Sequence, residues 1–301
     1  MIRRGRLGAL AAATVVAAVV AGTPASAAPA PGVAWNEYLP ALPSPSQTRP
    51  NRVAHCKRAK LACVRFQIRR MRKHQARLGC DHRAVFMTTY LELTKELRDA
   101  LLADPHMLRW PKFFFREDAL FANVYFRSLR RWRQGREVPE AWRIAFETAR
   151  DGEVFAAQDM LLGINAHVQN DMPFVLAQLG LRDRQGRARK PDHDLTNNVL
   201  ASGYDRVVGA VRERYDASMG FTNPPGVPAD DVAGLEMVRK WREDVWRNAE
   251  KLVNASSDAE RAQVAAEIEA NAADWAQGIA ATPVPGYRAT RDAYCAQQLG
   301  R

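Results

Sequence analysis

From residue 57 onward the apolar positions of this chain recur every three or four residues, with charged residues between them. Leu61, Val64, Ile68, Met71 and Leu78 form the first such series, and residues 85–102 form the next, closed by Asp104-Pro105. That is the period of a helix that buries one side. Pro111 opens an aromatic segment through Phe113-Phe114-Phe115, and residues 117–132 continue it with Leu120, Phe121, Val124, Tyr125 and Leu129. Gly135 and Pro139 mark a turn before Trp142, Ile144, Ala145 and Phe146. Residues 154–168, 174–181, 194–215, 235–253 and 258–280 read as helical, with polar loops at 182–191 and 220–228. No run of β-branched alternation competes with these patterns. The expectation is a single all-α, bundle-like domain of about eight to ten helices over residues 51–301.

The first 50 residues read differently. Arg3, Arg4 and Arg6 precede an almost purely apolar run over residues 7–20, and Ala25-Ser26-Ala27 is a small-x-small cleavage site. This is the pattern of a secretory signal peptide over residues 1–27, cut near Ala27. The run is short for a bilayer span, and no second one follows, so the mature chain is expected to have no transmembrane segment. Residues 28–50 carry six prolines and no apolar period, as an extended tether would.

Export changes how the cysteines and charges are read. Cys56, Cys63, Cys80 and Cys295 are an even set in an oxidising compartment, which points to two disulfides. Three pairings are open. The proximity of Cys56 to Cys63 favours that pair together with Cys80–Cys295. No CxxC is present, which argues against a zinc-thiolate or redox motif. Removing residues 1–27 takes away three Arg and no acid, lowering the formal charge from +11 to +8. An anionic small molecule or a cell-envelope polymer suits that charge. Lys57, Arg58, Lys60, Arg65, Arg69, Arg70, Arg72, Lys73 and Arg77 concentrate it near one helix. Nucleic acid is disfavoured, because the chain is exported and has no reading motif.

Chemistry concentrates at Asn165-Ala166-His167-Val168-Gln169-Asn170-Asp171-Met172-Pro173, a polar run inside an apolar helical stretch. His167 and Asp171 are spaced to share a helix face. They suit a divalent cation such as zinc, given at least one more ligand. They equally suit a local arrangement, with Asp171 capping a helix that starts at Met172-Pro173 and His167 bonded to it. Lys190-Pro191-Asp192-His193-Asp194 and Asp81-His82 raise the same choice at two loop-to-helix junctions. Arg116-Glu117-Asp118 reads as the acidic first turn of a helix. The metal reading gathers His82, His167, Asp171 and His193, with Asp118 as a fifth ligand and Asn165 and Asp194 orienting the others. The reading without metal leaves a non-catalytic secreted protein that binds cell-wall or membrane anions through its basic face. The chain lacks GxSxG, a Walker A loop, GxGxxG, HExxH and Glu-x-x-His.

Five motifs arrive in a recognisable order: Cys80-Asp81-His82-Arg83-Ala84-Val85-Phe86 with Thr89-Tyr90-Leu91, Glu117-Asp118-Ala119-Leu120-Phe121-Ala122, Ala141-Trp142-Arg143-Ile144-Ala145-Phe146, the Asn165 run through Phe174, and Lys190 to Asp194. Over roughly residues 50–300 the chain thereby resembles a domain-of-unknown-function family that is mainly actinobacterial and often exported. That resemblance implies a helical fold and no established activity. His167-x-x-x-Asp171 with Pro173 is also similar to the metal-binding helix of zinc-dependent phospholipases C. Asn170 stands where those enzymes carry Gly, Ala177 where a further His is expected, and no His-x-x-x-Glu pair follows. This likeness implies His167 and Asp171 as ligands in a metal-dependent hydrolase acting on a phosphoester or another anion.

Overall fold

In the computed structural model of the chain, the described residues are 53–219 and 229–300. The expected signal peptide over 1–27 with its cleavage near Ala27, the expected tether over 28–50 and the expected loop at 220–228 lie outside them. The helices are α1 (Ala62–Leu78), α2 (Arg83–Ala103), α3 (Pro111–Arg133), α4 (Glu140–Asp151), α5 (Ala156–Asn165), α6 (Met172–Leu179), α7 (Lys190–Ser202), α8 (Tyr204–Arg214), α9 (Ala229–Asn254), α10 (Asp258–Ala280) and α11 (Tyr287–Gln298). A π-helical turn, Ala166–Asp171, joins α5 to α6 without a break. No strand occurs among the described residues beyond an isolated bridge between Arg182 and Ala188. The all-α expectation holds.

Three boundaries differ from the sequence pattern. The helix expected over 194–215 is two helices meeting at Gly203, and the first begins at Lys190, inside the expected loop. Pro191 sits in its first turn, where a missing N–H costs nothing. The acids Glu117 and Asp118 do not open a helix. Six residues of α3 precede Glu117, so both carboxyls sit mid-helix and have no stabilisation from a helix N-terminus. Finally, α11 has no counterpart in the apolar pattern, because it buries little beyond Arg291 and Cys295.

The core runs through the middle of the bundle. α2 packs against α1, α5, α7 and α8, while α10 packs against α4, α5 and the π turn. Trp142, Tyr125, Phe174, Trp241 and Trp246 are fully enclosed. Gly163 on α5 lets α2 approach closely: a Cβ there would lie 2.2 Å from Cγ of Phe86. Disulfides join Cys56 to Cys63 and Cys80 to Cys295, as sequence proximity favoured. The second pins α11 to the start of α2. Arg291 completes that attachment by donating to the carbonyl of Val154 at 2.6 Å and to Asp159 at 2.8 Å. Among the described residues no helix is long and apolar enough to cross a membrane.

Candidate functional site

Pro173 explains the π turn. In a continuous α-helix its ring would press on the carbonyl of Gln169 and leave that carbonyl without a donor. Widening the turn by one residue relieves both problems, and such turns often mark functional positions. The turn directs His167 and Asp171 into the core, where they are 2% and 0% exposed. Nδ1 of His167 lies 3.0 Å from Oδ2 of Asp171.

The remaining partners of Asp171 fix which nitrogen carries the proton. Nε1 of Trp142 donates to Oδ2 at 2.9 Å, and Nδ2 of Asn170 donates to Oδ1 at 2.8 Å. Burial pushes the Asp171 carboxyl up, and these donors, together with His167, pull it back toward the ionised form. A carboxylate with this set assigns the His167 proton to Nδ1, leaving a lone pair on Nε2. Nε2 is buried and has no partner. Aromatic rings enclose the imidazole: Phe121 stacks on it at 3.4 Å, Tyr90 meets it at 4.8 Å, and Phe86, Tyr125 and Trp142 complete the surround. Burial in this setting lowers the pKa of His167, so the ring is neutral. Asp171 does not cap α6, since its side chain makes no bond to that helix's first N–H groups.

His167 lines a largely apolar cavity of about 320 Å³ where α2, α3, α5, α7, α8 and α9 converge. His167 is among its lining residues while Asp171 and Trp142 are not, and Nε2 is the ring nitrogen that Asp171 does not engage. Most of the lining is apolar, including Leu93, Leu97, Phe114, Ile164, Val199 and Leu235. Set among these are Tyr90, Glu117, Asp118 and Arg242. The hydroxyl of Tyr90, Oε2 of Glu117 and Oδ2 of Asp118 are buried without partners. Buried polar atoms are normally paired, so four orphans around one cavity indicate groups waiting for a ligand. Burial pushes Glu117 up to about 7, with Arg242 opposing, and burial alone pushes Asp118 up to about 7. The Tyr90 hydroxyl is raised as well, by burial and by the nearby charges of Asp118, Asp171 and Glu117.

The structure separates the other residues of the expected metal set. His82 lies at the attachment of α11, with Nε2 2.9 Å from Asp292 and Nδ1 3.8 Å from Asp159. His193 is fully buried and engaged at both nitrogens, with Nε2 3.0 Å from the carbonyl of Arg242 and Nδ1 3.3 Å from its Nη2. It is neither a solvated cap residue nor a free ligand. Asp192 accepts the N–H groups of Arg109 and Trp110 at 2.9 and 2.7 Å, serving the start of α3 and not its own helix. Asp194 pairs with Lys190 at the surface. Asn165 orients no ligand: it donates to the carbonyl of Ala272 and accepts from Gln169, tying the π turn to α10. Among the described residues no group of three His, Cys, Asp or Glu side chains is placed to hold a metal ion. The shared centre for His82, His167, Asp171, His193 and Asp118 is therefore not formed. His82 is engaged by Asp292 and His193 by Arg242, and of the expected set only Asp118 joins His167 at the cavity.

Sequence reasoning missed Tyr90, Glu117 as a buried group, Trp142 as a donor to Asp171, and Arg242. Glu117-Asp118 was legible as two acids inside an apolar period. Nothing local marks Arg242.

The model of one protein family, a family of unknown function (DUF5995), matches residues 65–282, a span that excludes Cys56, Cys63 and Cys295. No curated protein matches the chain, and no solved structure does.

Proposed function

Since the chain belongs to DUF5995, a family of unknown function, the site itself must carry the functional reading, and we propose that the protein is an exported acid–base enzyme acting on the carbonyl group of an apolar substrate. The carrying observation is the unpartnered, buried Nε2 of His167 at an apolar cavity, with Nδ1 bonded to Asp171. An imidazole held in one tautomer by a carboxylate is a positioned general base. Tyr90 and the neutral form of Asp118 are donors without acceptors at the same cavity. They suit the oxygen of a carbonyl on which negative charge develops. In ester hydrolysis His167 takes a proton from the attacking water and returns it to the leaving alkoxide as the acyl–oxygen bond breaks. A phosphate dianion suits the cavity poorly, because Glu117 and Asp118 stand beside a single guanidinium.

The test uses the full chain purified from an exporting host and nitrophenyl esters of graded acyl length. Longer acyl groups should react faster, and His167→Gln should lower kcat about 10²- to 10⁴-fold while binding of the ester is kept. Equal rates for His167→Gln and the unaltered protein would remove the reading.

A second reading rests on α1. Arg65, Arg69, Arg72, Lys73 and Arg77 follow helical spacing and are exposed, and no carboxylate among the described residues pairs with them. The cations of α2 and α9, by contrast, are mostly ion-paired. This stripe supports a non-catalytic role in holding an anionic cell-envelope polymer. Its measurement is retention on an immobilised polyphosphate against salt, where charge reversal at Arg69, Arg72 and Arg77 should flatten the salt dependence.

A further inference from the structure

Arg242 is 4% exposed, yet no carboxylate among the described residues lies within ion-pair reach of it. Its Nε donates to Asn197 at 2.7 Å, and Nη2 donates to the carbonyl of His193 and to Thr196. Nη1 has only the thioether of Met172, at 3.5 Å. A thioether is a weak acceptor and carries no charge. A buried guanidinium in this state retains most of its desolvation cost, and burial draws its pKa down to about 10. Two opposing charges act on it without an ion pair, Glu117 more strongly and Asp194 less, and Oε2 of Glu117 is itself unpartnered. Both side chains line the cavity.

Two groups are thus incomplete across one gap, a cationic fork with a free donor and a carboxyl that holds its proton below about pH 7. One carboxylate satisfies both, accepting from Nη1 of Arg242 and from the acid proton of Glu117. A primary amine satisfies only the acid and is repelled by Arg242. A phosphate dianion exceeds the single positive charge available.

We propose that the occupant of the cavity is an apolar chain or ring system that ends in a carboxylate, anchored by Nη1 of Arg242 and by the unpartnered carboxyl of Glu117. This rests on the cavity being a ligand site, as in the reading above, and it names the class of that ligand. The apolar walls take the body, and Arg242 distinguishes the acid from its neutral esters.

The experiment titrates the full chain, carrying His167→Gln so that the ester is bound without turnover, at pH 6 with dodecanoate, methyl dodecanoate and dodecylamine, followed by calorimetry. Dodecanoate should bind at least tenfold more tightly than the ester, a difference of about 1.4 kcal/mol. Arg242→Met should erase that preference. Should Arg242→Met fail to fold, Glu117→Gln decides the matter. Its amide donates at every pH, so the acid preference should persist at pH 6 and extend to pH 8, where the chain that keeps Glu117 loses part of it. Equal binding of acid and ester, tighter binding of the amine, or loss of the preference in Glu117→Gln at pH 6 each overturns the anchor while the apolar site stands. If none of the three compounds binds, the cavity reading fails along with it.

Discussion

His167 and Asp171 share a 3.0 Å hydrogen bond across a π turn, and Trp142 from α4 bonds the same carboxylate oxygen. A four-residue spacing is also an α-helical neighbour relation. The extra residue of the π turn sets both side chains in the core with room for Pro173.

Asp171→Ala would leave His167, Trp142 and Asn170 without their common acceptor in a dry interior. A loss of about 3 kcal/mol in urea unfolding is expected. Asp171→Asn keeps an acceptor but not the charge, so it should spare most of the stability and still lower ester hydrolysis by two orders of magnitude or more. A smaller stability loss for the alanine variant than for the asparagine variant contradicts the network.

Glu117 and Asp118 make stability depend on pH with a definite sign. Their folded pKa values, near 7, lie above those of unfolded carboxyls. The folded state therefore binds more protons between about pH 4 and 7, and stability falls as pH rises through that window. Glu117→Gln or Asp118→Asn should raise stability at pH 8 by on the order of 3 kcal/mol and change little at pH 4. Thermal melts at the two pH values give the answer, and a gain of equal size at both would contradict the assignment.

Gly163→Ala places a methyl group inside the ring of Phe86. Phe86 packs edge-on against His167 and lines the cavity, so the ring cannot move aside without disturbing the dyad. A loss of about 2 kcal/mol is expected, together with weaker ligand binding. Unchanged melting and binding would show that α5 can slide off α2 freely.

The Cys80–Cys295 bridge spans 215 residues, and Cys56–Cys63 spans seven. Closing the longer loop restricts the unfolded chain more, by about 5 kcal/mol against about 2 kcal/mol for the shorter one. Replacing Cys80 and Cys295 by Ala should cost more than replacing the other pair and should expose α11 to protease. Cleavage at the 281–286 connection before any other site is the expected pattern, and protection of α11 without the bridge would assign its docking to Arg291 and the His82–Asp292 contact.

Part of the site was legible in the sequence. The polar run at Asn165–Pro173 stood out because polar residues inside an apolar period must find partners, and His167 and Asp171 do. Asp118, read as a fifth ligand beside His167, lines the same cavity. His82 and His193 looked equivalent to His167 because each stood beside acids at a helix start. Their actual partners, Asp292 and the carbonyl of Arg242, are 210 and 49 residues away, and no local pattern encodes such distances.

What the sequence determined by itself is local or pairwise: helices from their period and turns from Gly and Pro. An even cysteine set additionally favoured the pairing now seen. Only the tertiary structure decided that Phe86, Glu117, His167 and Arg242 meet around one space, and that the expected metal ligands do not meet. The period of a helix reveals which side is buried but not which helix covers it, and a cavity exists only where several such sides come together without filling the volume between them.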